Sequence, residues 1–141
     1  MPPRPGKISN VAPIPGSRNI LITSALPYVN DAPHLGNIIG SVLSADVLAR
    51  CCRMRGFNTL YIGGTDEYGT ATEIRAAREG CAPKELCDRF QRVHADVYRW
   101  FNVSFDIFGR TTNKSQTDIA QQVLSKVHDN GFLDECVTSR L

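Results

Sequence analysis

The fold is decided by Asn19-Ile-Leu-Ile-Thr-Ser-Ala25 and Phe57-Asn-Thr-Leu-Tyr-Ile-Gly63, two short apolar runs that contain β-branched residues. Runs of this kind predict buried strands. The segment between them has apolar residues at helical spacing from Leu35 to Cys52, and Gly56 follows as a stop signal. A strand, a helix of about five turns and a second strand form a βαβ unit, whose strands run parallel with a right-handed crossover. The sequence therefore predicts an α/β fold.

Helix signals also mark the second half of the chain. Thr70-Ala-Thr-Glu73 matches a capping box, which predicts a helix from Thr70 to the stop at Gly80. Pro83 opens the next helix. Its predicted core-facing stripe consists of Leu86, Phe90, Val93, Val97 and Trp100. Asn113, with Gln116 three residues on, predicts the start of a further helix that ends near Gly131.

Composition and charge exclude several classes of protein. The 141 residues include 16 Lys or Arg and 14 Asp or Glu, for a net charge of +2, and 42% are hydrophobic. This balance is typical of a soluble globular domain or part of one, and it lacks the strongly basic character of many nucleic-acid-binding domains. The longest stretch without formal charge, between Asp31 and Asp46, falls short of the ~20 apolar residues that a membrane helix needs. The five cysteines contain no C-x-x-C pair, so we expect reduced thiols and no zinc ligands.

The chain divides at its proline-rich beginning. Seven of the eight prolines fall within the first 33 residues. We therefore expect residues 1–18 to form a flexible lead-in and residues 19–141 to form the folded domain.

The loop after the first strand is the first candidate site. It runs Ala25-Leu-Pro-Tyr-Val-Asn-Asp-Ala-Pro-His-Leu-Gly-Asn37 and ends on the first helical turn. Free backbone N–H groups and the positive end of the helix dipole favour a phosphate there, and His34 and Asn37 add side-chain donors. Gly36 has no Cβ, so a flat group could approach its backbone. The alternative interpretation of His34 is a helix cap.

The loop after the second strand, Gly63-Gly-Thr-Asp-Glu-Tyr-Gly69, is the second candidate site. Neighbouring parallel strands have their carboxyl ends at one edge of the sheet, so Asp66 and Tyr28 are predicted to share a pocket. A carboxylate that faces an aromatic wall suits the ammonium group of an amino acid. The alternative interpretation is a turn capped by Asp66.

Together, Ala25-Leu-Pro-Tyr-Val-Asn30, Pro33-His-Leu-Gly-Asn37 and Gly64-Thr-Asp-Glu-Tyr-Gly-Thr70 resemble the methionyl-tRNA synthetase family, of the eukaryotic cytosolic type. The resemblance runs from about Arg18 to the end and includes Arg99-Trp-Phe-Asn-Val-Ser-Phe-Asp-Ile-Phe-Gly-Arg110. It implies the N-terminal half of a class I Rossmann-type catalytic domain, and a cytoplasmic location. His34-Leu-Gly-Asn37 is similar to the first class signature, His-Ile-Gly-His, with Asn37 in place of its second histidine.

The resemblance implies a role for each site residue. Leu26 and Tyr28 would shape the methionine pocket, and Asp66 would face the substrate ammonium. His34, Gly36 and Asn37 would line ATP, with His34 and Asn37 as the catalytic pair. The implied reaction joins methionine to ATP, with Mg²⁺ on the phosphates, and then transfers the methionyl group to tRNA(Met). A multi-synthetase assembly is a further implied partner.

The sequence also lacks parts that the resemblance would lead us to expect. The Lys-Met-Ser-Lys-Ser signature is absent, and the chain ends where the connective domain would begin. We therefore expect the 141 residues to be an incomplete part of the catalytic domain that is inactive by itself. The alternatives are another class I synthetase of the same branch, a small His-x-Gly-His nucleotidyltransferase, and a noncatalytic fragment.

Overall fold

The computed structural model describes residues 12–136. The first eleven residues of the predicted lead-in lie outside this range. The described residues up to Thr111 form one compact unit, and those from Thr112 form a second. Near its start, the first unit has a turn at residues 14–17, which the Asn19 side chain holds by bonding to Ile14 and Ser17. The division into a lead-in and a folded domain at residue 18 stays a prediction.

Three parallel strands form the sheet of the first unit. They are β1 (Asn19–Thr23), β2 (Asn58–Thr65) and β3 (Ile107–Arg110), in the order β1-β2-β3. In the register, Leu21 lies beside Leu60, and Ile62 lies beside Ile107. The predicted α/β fold and the parallel βαβ unit are therefore confirmed. The third strand was not predicted, because four residues carry too little periodicity to be recognised.

The helices connect these strands. A π-helical segment, Asn37–Leu43, continues into α1 (Ser44–Met54) and leads from β1 to β2. The second crossover contains α2 (Thr70–Glu79) and α3 (Pro83–Trp100). In the second unit, α4 (Lys114–Asp129) begins as predicted, because the Asn113 side chain accepts the N–H of Gln116 at 2.8 Å. No helix within residues 12–136 has the length and apolar character needed to cross a bilayer.

The first crossover is not the single regular α-helix that the spacing predicts. Seven residues from Asn37 onward have π-helical hydrogen bonding, a geometry that is frequent at functional sites. Leu35 and Ile39 are exposed. The other predicted apolar positions belong to the core or pack against it: Ile38, Val42, Ala45, Ala49 and Cys52.

Two clusters of buried side chains form the core between the sheet and its helices. One contains Ile22, Ala49, Cys52 and Tyr61, and the other contains Ile38, Val42 and Tyr98. Phe105 packs against both clusters. The Tyr61 hydroxyl donates to the carbonyl of Val42 at 2.9 Å, and burial raises the pKa of Tyr61 to about 12. This phenol therefore stays protonated and joins β2 to the π-helical segment.

Two details of the second crossover differ from the sequence prediction. The helix at Thr70 is confirmed, but its capping box is wrong: the N-cap is Gly69, whose φ of 129° is accessible to glycine, and no side chain caps the helix. The predicted apolar stripe of α3 is partly wrong, since Trp100 is 80% exposed. His94 and Tyr98 are buried instead, because each finds a hydrogen-bond partner inside the fold.

Polar contacts hold the segment that carries Phe105. Asp46 of α1 is buried and accepts the backbone N–H of Ser104 at 2.7 Å. Arg53 donates to Asp106 at 2.7 Å, and the same carboxylate accepts the N–H of Tyr61 at 2.7 Å. The chain is therefore fixed on both sides of Phe105 before it enters β3.

Gly63 of β2 lies against the Phe105 ring, which leaves no space for a side chain at position 63. A Cβ there would lie 2.1 Å from a Phe105 ring carbon, and the ring is held by Tyr61, Tyr98 and Phe108. We expect Gly63→Ala to lower the free energy of unfolding by about 1–3 kcal/mol, the usual cost of overpacking a core. The midpoint of urea denaturation, followed by circular dichroism, measures the change.

Gly40→Ala is the matched control. An added Cβ at Gly40 has no atom within 4 Å, and alanine is favoured over glycine within helices. We expect this variant to be as stable as the parent or more stable by up to about 1 kcal/mol. Equal midpoints for the two variants would contradict the proposed constraint on Gly63.

Candidate active site

The two predicted loops meet at the carboxyl ends of β1 and β2. Tyr28 and Asp66 form a parallel β-bridge beyond the ends of the named strands. The N–H of Asp66 donates to the carbonyl of Pro27 at 2.9 Å, and the N–H of Val29 donates to the carbonyl of Asp66 at 3.2 Å. The predicted juxtaposition of Tyr28 and Asp66 is therefore present as backbone pairing.

The Asp66 carboxylate is held at one of its two oxygens. Oδ1 accepts the N–H of Tyr68 at 3.2 Å and lies 3.5 Å from the Thr111 hydroxyl oxygen. No protein donor within residues 12–136 bonds to Oδ2. The side chain thus has the turn role of the alternative interpretation and retains an oxygen for a cation.

Tyr28 is paired with Asp66 through the backbone, and Leu26 lies two residues before Tyr28. Tyr28 is 58% exposed and Leu26 is 43% exposed, so both present apolar surface for further contacts. An added Cβ on Gly69 would lie 3.8 Å from the Tyr28 ring. That is an ordinary contact distance, so the constraint at Gly69 is its φ of 129° and not the space beside the Tyr28 ring.

His34 and Asn37 bond to each other reciprocally at the start of the first helical segment. The Asn37 N–H donates to His34 Nδ1 at 3.3 Å, and the His34 N–H donates to Asn37 Oδ1 at 3.4 Å. Because Nδ1 accepts, the ring proton is on Nε2. His34 is therefore a helix cap whose exposed imidazole still presents an N–H donor, and the two interpretations of this residue are compatible.

Gly36 allows this arrangement of His34. A Cβ at Gly36 would lie 2.9 Å from His34 Cε1, closer than real side chains come. The flat group that approaches the Gly36 backbone in this structure is the His34 imidazole. An ATP-facing role for Gly36 stays a prediction.

Two helices tether the loop between Tyr28 and His34. Arg75 of α2 donates to the carbonyl of Asn30 and forms an ion pair with Asp31 at 3.1 Å. From α3, His94 Nε2 lies 2.9 Å from the carbonyl of Asp31, and the Tyr98 hydroxyl lies 3.3 Å from His94 Nδ1. Nε2 donates and Nδ1 accepts, so His94 is neutral and fully bonded. Burial lowers the pKa of His94 from its usual value of 6.5.

A buried ion pair lies behind the Asp66 loop. The Glu67 side chain is completely buried, and its Oε1 accepts from Arg110 Nε at 2.6 Å and from the Thr65 hydroxyl at 3.1 Å. Arg110 also donates to Asp88 of α3 at 2.5 Å. Hydrogen bonds from Lys84 and Arg110 lower the pKa of Asp88 to about 2. The base of this loop is thus joined to both β3 and α3.

The sequence identified the candidate residues in the two loops but not the residues that hold those loops in place. Asp66 and Tyr28 are brought together, and so are His34, Gly36 and Asn37. His94, Arg75, Arg110 and Thr111 were not identified. Their only sequence signal was polar character next to apolar positions, which does not reveal a partner up to 63 residues away.

Comparison with known proteins decides the family. The family model described as tRNA synthetases class I (M) matches residues 20–140. The chain belongs to this family of class I synthetases. This finding confirms the resemblance seen in the sequence and favours the methionine branch over the alternatives.

Individual relatives agree with this assignment. The chain is 63% identical over 128 residues to the probable cytoplasmic methionine–tRNA ligase of Dictyostelium discoideum, covering 89% of the chain and 17% of the relative. It is 60% identical over 129 residues to the Saccharomyces cerevisiae cytoplasmic enzyme, covering 92% of the chain and 17% of the relative, and 59% identical over 133 residues to the human one, covering 94% and 15%. The chain thus spans about one sixth of the length of these relatives.

A solved structure supports the fold assignment. The Mycobacterium tuberculosis methionyl-tRNA synthetase in complex with methionyl-adenylate superposes with a TM-score of 0.76 at 28% identity. The match covers 81% of this chain and 22% of that one. The predicted N-terminal part of a class I Rossmann-type catalytic domain is therefore confirmed as the fold.

His94 makes the stability of the tethered loop depend on pH. Since the folded state lowers the pKa of His94 below 6.5, the unfolded chain binds its proton first as the pH falls. We expect the free energy of unfolding to be independent of this group above about pH 7 and to decrease as the pH falls from about 6.5 toward the folded pKa. Urea denaturation across pH 5–8 measures the dependence.

His94→Gln should remove that part of the pH dependence, because glutamine does not titrate. His128→Gln, at an exposed position of α4, controls for the loss of one histidine. An unchanged slope between pH 5 and 6.5 in His94→Gln would show that His94 is not the responsible group.

Proposed function

We propose that this chain supplies the first half of the active site of a methionine–tRNA ligase. The proposed reaction activates methionine with ATP to methionyl-adenylate and transfers the methionyl group to tRNA(Met). The observation that carries the proposal is the Tyr28–Asp66 bridge, because it places an aromatic ring and a carboxylate at the ligand-binding edge of a parallel sheet. The family match and the adenylate-bound relative support the same chemistry.

The methionine end of the site would be formed by Leu26, Tyr28 and Asp66. None of the residues that the structure describes bonds to Oδ2 of Asp66. This oxygen suits the substrate ammonium, because a hydrogen bond between charged groups is stronger than one between neutral groups. A thioether gains favourable contacts from an aromatic edge, which fits the exposed Tyr28 ring. The backbone bridge fixes the spacing between the two residues that carry these groups before the substrate arrives.

The ATP end of the site would be formed by His34, Gly36 and Asn37. His34 Nε2–H and the first free N–H groups of the helical segment are donors suited to phosphate oxygens. Donors that are already oriented stabilise charge that develops on a phosphate in the transition state. Asn37 acts on His34 through the reciprocal cap, and its amide cannot become cationic.

Magnesium fits this scheme as a companion of ATP. Within residues 12–136 there is no group of three or more His, Cys, Asp or Glu side chains that could hold a metal ion. In the proposed reaction the ion is bound to the phosphates and neutralises their charge. The relatives named as cytoplasmic support a cytoplasmic location. Association with other synthetases belongs to the proposal by family resemblance alone.

The test of the methionine end is Asp66→Asn in the full gene product that contains this chain. Asparagine keeps an oxygen for the Tyr68 N–H and removes the negative charge. We expect the KM for methionine to rise by about tenfold or more, with a smaller decrease in kcat, because the ammonium contact persists through the chemical step. Methionine-dependent ATP–pyrophosphate exchange measures both constants.

The control is Asp118→Asn on the surface of α4, which removes a carboxylate from an exposed ion pair with Lys114. It should leave both constants unchanged. If Asp66→Asn lowers the melting temperature and leaves the KM for methionine at the parent value, Asp66 is a turn residue and the proposed site is wrong.

The test of the ATP end is His34→Asn, again in the full gene product. Asparagine is a good helix cap, so the melting temperature should stay near that of the parent. The imidazole donor is lost, and we expect kcat for adenylate formation to fall by ~10²-fold. Parent-like kinetics would show that His34 serves only as a cap.

A further inference from the structure

Thr111 lies at the same sheet edge as Asp66, directly beyond β3, the strand that neighbours β2 on the side away from β1. The Thr111 N–H donates to the carbonyl of Thr65 at 3.1 Å, which extends the β2–β3 pairing by one residue. Its side-chain oxygen accepts the N–H of Glu67 at 2.9 Å. The same oxygen lies 3.5 Å from Asp66 Oδ1.

The chemistry of the Glu67 N–H, the Thr111 hydroxyl and the Asp66 carboxylate determines which group donates each hydrogen bond. A hydroxyl has a single proton, and an ionised carboxylate only accepts. Because the Thr111 oxygen accepts from Glu67, its own proton is directed to Asp66 Oδ1. The separation of 3.5 Å exceeds that of a strong O–H···O bond, as is common for binding contacts before a substrate is present.

A buried ion pair holds Thr111 and Glu67 in place. The Glu67 carboxylate is anchored by Arg110, the residue before Thr111, at 2.6 Å. Arg110 is held in turn by Asp88 of α3. The Glu67 side chain is completely buried, so loss of Arg110 would leave its charge without a partner, which is strongly destabilising. From this anchored segment the Glu67 N–H donates to the Thr111 side-chain oxygen, and the Thr111 hydroxyl faces Asp66 Oδ1.

We propose that Thr111 is a positioning residue that orients the Asp66 carboxylate toward the α-ammonium group of the amino-acid substrate. Thr111 bonds to Oδ1, which leaves Oδ2 directed to the ammonium. This inference rests on the proposed function, in which Asp66 contacts that ammonium. The segment after β3 would thus contribute to substrate selection, in addition to the loops after β1 and β2.

The primary test compares Thr111→Val with Thr111→Ser in the full gene product. Valine matches threonine in shape and lacks the hydroxyl, whereas serine retains it. For Thr111→Val we expect the KM for methionine to rise by about tenfold, the effect of losing one hydrogen bond to a charged group, and the KM for ATP to stay within about twofold. Thr111→Ser should keep the KM for methionine within about threefold of the parent.

Two inhibitors distinguish a specific effect of Thr111 on ammonium binding from a general loss of folded protein. Methioninol retains the ammonium and lacks the carboxylate, and 4-(methylthio)butanoate lacks the ammonium. We expect Thr111→Val to weaken inhibition by methioninol by about tenfold and to leave inhibition by 4-(methylthio)butanoate unchanged. The ratio of the two inhibition constants does not depend on how much of the variant is folded, and Thr111→Ala provides the same ratio if valine prevents folding.

Asp66→Asn distinguishes failure of this inference from failure of the proposed function. Combining it with Thr111→Val should cause no further loss of methionine affinity, because the two residues act through one contact. Additive losses, equal weakening of both inhibitors, or a serine variant as impaired as valine would each overturn the role of Thr111 alone. An unchanged KM for methionine in Asp66→Asn would overturn the proposed function itself.

Discussion

The pairing of β1 with β2 is the constraint on which the rest of the structure depends. It continues past the last regular residues of both strands, so that Pro27, Val29 and Asp66 still exchange backbone hydrogen bonds. Two loops that would otherwise move independently are thus joined at their bases. At Tyr28 and Asp66 the candidate site is therefore an extension of the sheet.

Much of the architecture could be predicted from local sequence signals. Two apolar runs, a helical stretch between them and the helix ends at Gly80 and Asn113 all follow from short-range preferences that the structure leaves unchanged. The capping box at Thr70 failed because the neighbouring Gly69 adopts a positive φ and takes the cap position. The apolar stripe of α3 failed at Trp100, because apolar spacing does not show that His94 and Tyr98 have polar partners inside the fold.

The candidate site also contains residues that the sequence identified and residues that it did not. Tyr28, His34 and Asp66 lie in loops whose composition is unusual, so the sequence alone identified them. The residues that hold these loops, such as Arg75, His94 and Arg110, look like ordinary helix or strand residues. Their roles depend on partners in other elements, and only the three-dimensional arrangement reveals those partners.

The long crossovers of a parallel sheet have a consequence for the time course of folding. Asp66 and Thr111 are 45 residues apart, and His94 and Asp31 are 63 residues apart. Contacts at such separations form slowly, because closing the long intervening loop costs conformational entropy before the contacts can stabilise the fold. As the ribosome releases the chain from its N-terminus, the signature loop with His34 emerges well before α3 and β3. The contacts that His94 and Thr111 make with the two loops therefore form only after α3 and β3 have been synthesised.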